Sequence, residues 1–599
     1  MSSMNRRSFF KQATASVAAV STVGIGALGE SAAGQTPCSP FLPLPAVRVA
    51  ILGDPDTKIE WTDAALEALK AVGFNAIQLN IAWGARVFGE PLSLIDVVTV
   101  PGEAEQPGAA KWGVEIERRA SLAKRHGLRT IFHFGSPYLD FNPYTGEVRR
   151  LGQGGVDDRS YDSNYDVANP LVADHEVKLL KEFRSNFPDV DDIQVYTYDQ
   201  DAWQTAEFQG SKYSEGVPLS DRLPAYLEKL HQAWTGGRDE THRMWWEPWE
   251  LSAGQVYAIL PQLPRTGFGL MIHTNIGDVQ RANAADLWFR NTVRICHGLK
   301  IPVIAEAFWA SHNEELEPLS FPAPRLADED YLAILRAQGI VGIKEYFGLV
   351  ATKRDLDLDV LRIRLSGFTG TTEEVLRKIA EPFGKASGQV FDYISLLSDA
   401  RQMYPWDASW HAREVGRAKL DHGWSAATLI GEVANTPAWR STRRVIFMQT
   451  DNAQSCFWLL EDVQLRCQIA ADTIQQALAV GKEIIAMVDS VEEKEFFGGI
   501  QKDADYFRRV SLSYALHIRE TNIAQQLRQD LKLGKPLKPS LVEEMKKVLD
   551  ADVANQDGKG RVVEMKRLYL EDPGQFVSDY LLPTDQTRME EGGFTLTTR

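Results

Sequence analysis

Two aspartates stand one residue apart in Y-T-Y-D-Q-D-A-W, Tyr196 to Trp203, where a run that begins as buried strand turns abruptly acidic. The same switch recurs at R-M-W-W-E-P-W-E, which supplies Glu247, at I-P-V-I-A-E-A-F-W, which supplies Glu306, and at I-V-G-I-K-E-Y-F-G, which sets Lys344 beside Glu345. Carboxyl groups held apart across one site suit the cleavage of a glycosidic bond. One, kept protonated, gives its proton to the leaving oxygen, while the other, ionised, attacks the sugar carbon or activates water. Asp199, Asp201, Glu306 and Glu247 are the candidate catalytic residues, with Asp199 or Asp201 facing Glu306 as the first pair to consider. Alternation along an extended strand puts Asp199 and Asp201 on one side, where their like charges raise the pKa of one of them, so either could be the acid.

Sugar recognition needs flat apolar faces for ring C–H groups and acids, amides or imidazoles for hydroxyls. Trp83, Tyr198, Trp249, Trp309 and Tyr346 interleave with Asp54, His133, His273, Lys344 and Glu345, and these positions form the candidate substrate-binding set. A single carboxylate at a strand end is most often a helix cap or an ion-pair partner. Acids at several such ends, each near an aromatic, fit that explanation poorly.

The elements that must hold these residues are strands. From Val47 onward short β-branched runs alternate with amphipathic helical stretches, the pattern of repeated βα units. V-R-V-A-I-L-G leads into W-T-D-A-A-L-E-A-L-K-A-V-G, with Thr62 or Asp63 as the helix cap and Gly73 as its stop. F-N-A-I-Q-L-N-I, L-R-T-I-F-H-F-G, D-D-I-Q-V-Y-T-Y-D, R-M-W-W-E-P-W-E, G-F-G-L-M-I-H-T-N, I-P-V-I-A-E-A-F-W and I-V-G-I-K-E-Y-F-G follow, a set of eight with the count and size of a (β/α)8 TIM barrel. That fold builds its active site at the C-terminal strand ends, where the acids and aromatics fall. A doubly wound sheet is disfavoured, because the first strand ends in G-D-P-D and not in G-x-G-x-x-G. After Gly348 helical periodicity takes over. The expected organisation is a signal segment over 1–33, a leader over 34–46, the catalytic barrel over 47–351, a mainly α-helical C-terminal domain over 352–581 and a polar tail over 582–599. The aromatic cluster Y-P-W-D-A-S-W-H-A-R, Tyr404 to Arg413, reads as a helix start packed on the barrel in preference to a pocket wall.

Composition narrows the partners. With 599 residues, 44% hydrophobic and 10% aromatic, the chain can bury large cores, and its net charge of −16 speaks against nucleic acid and anionic membrane as partners. N-R-R-S-F-F-K, Asn5 to Lys11, matches the twin-arginine export pattern and precedes a modest apolar run and the small residues Ser31 to Ala33, so a periplasmic or secreted location is expected. No segment is apolar enough for stable membrane insertion. The four cysteines show no C-x-x-C pair, which argues against a thiolate zinc site, and the eleven-residue spacing of Cys456 and Cys467 along a helical stretch speaks against a disulfide between them. No cofactor and no metal are expected, the partner is a carbohydrate, and the oligomeric state is left open.

Taken together, these residues resemble the glycoside hydrolase superfamily with (β/α)8 catalytic domains, in particular members whose barrel is followed by helices, such as the family 67 α-glucuronidases. The resemblance implies acids after strands four and seven, matching Asp199, Asp201 and Glu306. It is similar also to β-N-acetylhexosaminidase-like barrels, whose Asp-Glu pair after strand four becomes Asp199-Gln200 here, so substrate assistance is not implied. Two other functions compete. His133, His273, Asp199, Glu247 and Glu306 could gather round a divalent cation in a metal-dependent sugar isomerase, epimerase or lyase, although no H-x-x-x-H spacing supports this. A non-catalytic exported carbohydrate-binding protein would use the tryptophans alone.

Overall fold

The computed structural model describes residues 61–80, 90–91, 93–135, 166–196, 212–236, 241–248, 251–274, 285–311, 316, 318–337, 339–345, 354–406, 415 and 453–580, together with the strand backbone of 47–50; the side chains of 453–459 are left aside. The stretches read as a signal segment (1–33), a leader (34–46) and a tail (582–599) lie outside these residues.

Eight parallel strands close on themselves: β1 (Val47–Ala50), β2 (Ala76–Gln78), β3 (Arg129–Gly135), β4 (Asp192–Tyr196), β5 (Arg243–Glu247), β6 (Phe268–His273), β7 (Val303–Ala307) and β8 (Ile340–Glu345). β8 pairs with β1, so no edge is left exposed. The first helix, Asp63–Val72, shows how the sequence marks its own boundaries. Thr62 Oγ1 accepts from Ala65 N, and Gly73 ends the helix at φ 112°, a left-handed conformation that only glycine adopts cheaply.

The alternation within each strand sets the layers of the barrel. In β4, Ile193 and Val195 enter the large core between sheet and helices, while Asp192 and Gln194 share the opposite face. Asp192 closes the N-terminal end of the barrel. It accepts a bidentate pair from Arg129 at 2.8 and 2.6 Å and a third bond from Trp245 Nε1 at 3.1 Å. Above it Ala76, Ile131, Trp245, Met271 and Ile304 form a small separate apolar cluster that fills the barrel's axis. Trp245 fits only because its neighbour has no side chain: a Cβ on Gly269 would lie 2.2 Å from the indole.

One irregularity matters for the site. Between β7 and β8 the register runs Val303 to Ile340 and then Ile304 to Gly342, so Val341 is an extra residue. The slip brings Lys344 into register with Glu306, a place Ile343 would take without it.

The helix Leu356–Leu365, C-terminal to the 351/352 boundary read from the sequence, packs its Leu365 against Gly73 and so meets the first helix. Beyond it run the helices Thr372–Ala380, Ser387–Met403, Ala453–Met487, Val491–Lys532, Pro539–Asn555, Arg561–Glu571 and Pro573–Asp579. The main core is continuous from the barrel helices through Ile518, and a second core of residues such as Leu527, Met545, Tyr569 and Phe576 unites the last helices. The cluster read as a helix start begins instead at a helix end: Tyr404 is the C-terminal cap of Ser387–Met403, its N–H bonding Ala400 O, and Tyr404 and Trp406 pack on Phe507 of the helix Val491–Lys532, whereas 407–413 lie outside the described residues. Cys467 is a buried free thiol. No helix among the described residues is long and apolar enough to cross a membrane.

Candidate active site

Above the apolar plug the interior of the barrel turns polar. Gln194 of β4, Glu247 of β5, His273 of β6, Glu306 of β7 and Lys344 of β8 meet there with His133 of β3. Their convergence follows from register, since residues paired across parallel strands point the same way, and His273, Glu306 and Lys344 are paired in a row. Every member is buried, and His273, 8% exposed, is the most accessible.

The bonds are shared tightly. Lys344 Nζ donates to Glu306 Oε1 at 2.6 Å and to Gln194 Oε1 at 2.8 Å. Gln194 Nε2 donates to Glu247 Oε2 and, at 3.1 Å, to Glu306 Oε1. His273 Nε2 lies between the carboxylates, 2.6 Å from Glu247 Oε1 and 3.0 Å from Glu306 Oε2. His133 Nε2 stands 3.5 Å from Glu247 Oε2, and its backbone is held by Asn80, whose amide exchanges two bonds with it at 2.7 and 2.9 Å.

Electrostatics separate the roles. Burial, and then the charge of Glu247, push the Glu306 carboxyl up to about 7, against the opposing pull of Lys344 and His273. Burial lowers His273 to about 4, with the attraction of Glu306 opposing it and the nearby Lys344 ammonium lowering it further. Burial also holds His133 well below the usual imidazole range, assisted by Lys344 and His273. Both imidazoles are thus neutral near pH 7, and Glu306 carries an exchangeable proton there. Its Oε1 accepts from Lys344 and Gln194, while Oε2 receives no well-directed hydrogen bond among the described residues, so Oε2 is the natural seat of that proton. A carboxylic acid poised near neutrality beside a second carboxylate is equipment for general acid catalysis. One donor atom each of Glu247, His273 and Glu306 lie within 4.8 Å of one another, close enough to hold a metal ion; Lys344 already supplies a positive charge to that group.

Of the residues singled out in the sequence, His133, Glu247, His273, Glu306 and Lys344 come together in this layer. Glu345 and Trp309 do not. Adjacent residues on a strand face opposite ways, so with Lys344 inside, Glu345 turns outward, and its Oε2 accepts from the backbone N–H groups of Trp309 and Ala310 at 2.8 and 3.2 Å. The Trp309 side chain is fully buried in the main core. Asp54, Trp83, Tyr198, Asp199, Asp201, Trp249 and Tyr346 lie outside the described residues. Gln194 escaped the sequence reading, which looked only at strand ends. Its signal was a polar residue inside D-I-Q-V-Y, on the same face as Asp192.

No family model and no curated protein matches the sequence. Solved structures do. A GH138 enzyme targeting pectin rhamnogalacturonan II superposes with a TM-score of 0.53 at 10% identity, over 86% of this chain and 62% of that one. The chain therefore spans less than two thirds of that enzyme's length. An O-GlcNAc hydrolase of Thermobaculum terrenum, in a mutant form, follows at a TM-score of 0.37 and 12% identity, over 85% of this chain and 96% of that one. A GH5_18 protein of Bifidobacterium longum gives 0.31 and 13%, over 50% and 69%. The first likeness shows the fold, a TIM-type barrel with a helical C-terminal region; the other two are too distant to bear on it.

Proposed function

We propose that the chain is a glycoside hydrolase, exported by the twin-arginine route, that cleaves a glycosidic bond of a plant or microbial glycan at the C-terminal mouth of its barrel. The observation that carries this reading is the Glu306–Glu247 pair, in which one carboxyl holds a proton near pH 7 and the other lies within 4.8 Å. Glu306 is the general acid that protonates the leaving oxygen. Glu247, oriented by His273 and Gln194, is the partner carboxylate, and a separation this short suits the retaining geometry of about 5–5.5 Å better than the inverting one of about 6.5–9.5 Å. Asp199 and Asp201, which follow β4, are the expected acids of the rim. The likeness in fold to an enzyme described as targeting a pectin adds support at the level of substrate class.

The test is hydrolysis of a panel of aryl glycosides and oligosaccharides. Glu306→Gln is expected to lower kcat by roughly 10²–10⁴-fold, and the fall in wild-type kcat/KM above about pH 7 is expected to vanish in what remains. The reading is abandoned if wild type shows no turnover above the Asp199→Asn, Glu306→Gln double variant. Glycan binding that survives in that variant would then mark a binding protein. If Asp199→Asn and Asp201→Asn abolish turnover while Glu306→Gln is mild, the chemistry belongs to the rim and the inner pair only positions it. A metal-dependent isomerase, epimerase or lyase is the second reading, favoured by the convergence of Glu247, His273 and Glu306, and loss of activity on chelation, restored by a divalent cation, would select it.

A further inference from the structure

A second group of ionisable side chains sits in the helical region, on helices that contribute nothing to the barrel layer. His517 and Glu520 lie three residues apart on one face of the helix Val491–Lys532, and Asp552 faces them from Pro539–Asn555. Glu520 and Asp552 are fully buried and His517 nearly so. One donor atom of each lies within 4.8 Å of the others.

The group differs from several other buried acids of the protein in how its charge is met. Asp328 is matched by Arg364, Asp192 by Arg129, Glu90 by Arg119 and Glu306 by Lys344. Among the described residues no lysine or arginine pairs with Glu520 or Asp552, and neither oxygen of Glu520 receives a hydrogen bond. Asp552 Oδ1 is satisfied by Ser513 Oγ at 3.3 Å and Gln556 Nε2 at 3.1 Å. Its Oδ2 is turned toward His517 Nδ1 at 3.2 Å. Two carboxyl groups and an imidazole that face one another, without a lysine or arginine and with Glu520 unbonded, form an arrangement that is costly unless a proton or a metal ion brings positive charge into it.

We propose that His517, Glu520 and Asp552 form a structural site for one divalent transition-metal ion of the zinc or manganese kind. One imidazole nitrogen with two carboxylates is a donor set for these ions, softer than the all-oxygen shells of calcium and magnesium. Ligands from two facing helices are how bundle cores hold metals. The ion would tie the long helix to its successor beside the core of Ile523, Leu527, Met545 and Tyr580, and so secure the C-terminal helices. The inference does not depend on the barrel chemistry.

The test uses the untagged full-length chain, stripped with chelator and then given Zn²⁺ or Mn²⁺ alone, with metal content, titration calorimetry and thermal melting as readouts. About one equivalent per chain is expected to bind and to raise the melting temperature by several degrees. Glu520→Gln keeps the shape of the side chain and removes its charge, and is expected to weaken binding by at least roughly tenfold and to abolish the thermal shift. His517→Gln should show the same loss, while Glu247→Gln in the barrel should bind as wild type does. The proposal is overturned if stripped wild type binds neither Zn²⁺ nor Mn²⁺ stoichiometrically, if Glu520→Gln and His517→Gln bind as tightly as wild type, or if binding is lost only in Glu247→Gln.

Discussion

Glu306 illustrates how far one side chain depends on its neighbours. Burial and Glu247 raise its pKa while Lys344, 2.6 Å away, lowers it, and the outcome of about 7 is the balance. Removing the ammonium must therefore shift the balance upward. In Lys344→Met the residual activity is expected to extend to higher pH, with the alkaline limb of kcat/KM moving above its wild-type position, because a carboxyl without its cation keeps its proton longer. A limb that stays in place or moves down in a pH–rate profile would show that Glu306 is not the group it reports. The inner layer also shows what could be read from residue types. Glu247, His273, Glu306 and Lys344 stood out as polar residues closing apolar runs, whereas Gln194 lay inside a strand and drew no attention, although it bonds both glutamates.

Among the strands, fit is decided by contacts that no strand carries alone. The indole of Trp245 from β5 lies over Gly269 of β6, where a methyl group would come within 2.2 Å of the ring. Gly269→Ala is expected to destabilise the barrel by about 1–3 kcal/mol in denaturant melts, through overpacking of its axis. Gly498, in the long helix Val491–Lys532, has open space around it, so Gly498→Ala is expected to stabilise by roughly 0.5–1 kcal/mol. The same reasoning explains why Lys344 and Glu345 part company. The sequence makes both polar at the end of β8, but the extra residue Val341 sets which of them enters the barrel.

Across the chain, the barrel and the helices after it are joined by more than a linker. Arg364, from the helix that meets the first barrel helix, forks onto buried Asp328 at 2.6 and 2.7 Å. Arg401 donates to Phe321 O at 2.6 Å, and the apolar core runs on from Phe321 to Phe507. Arg364→Ala would leave Asp328 buried without its cation, which costs about 3–5 kcal/mol. Because the core is shared, one cooperative transition at lower temperature is expected in calorimetry, and two separate transitions, with only one displaced, would contradict a common core.

The eight β-like runs, the helix cap at Thr62, the stop at Gly73 and the polar residues at the ends of β5, β6, β7 and β8 were legible because they depend on local preferences and on the two-residue and 3.6-residue periods that a chain carries along its length. The register that lines up His273, Glu306 and Lys344 and the raised pKa of Glu306 were not. Those belong to pairings between residues distant in sequence, where a slip of one position turns a side chain from the interior to the outer face and where burial decides which acid keeps its proton.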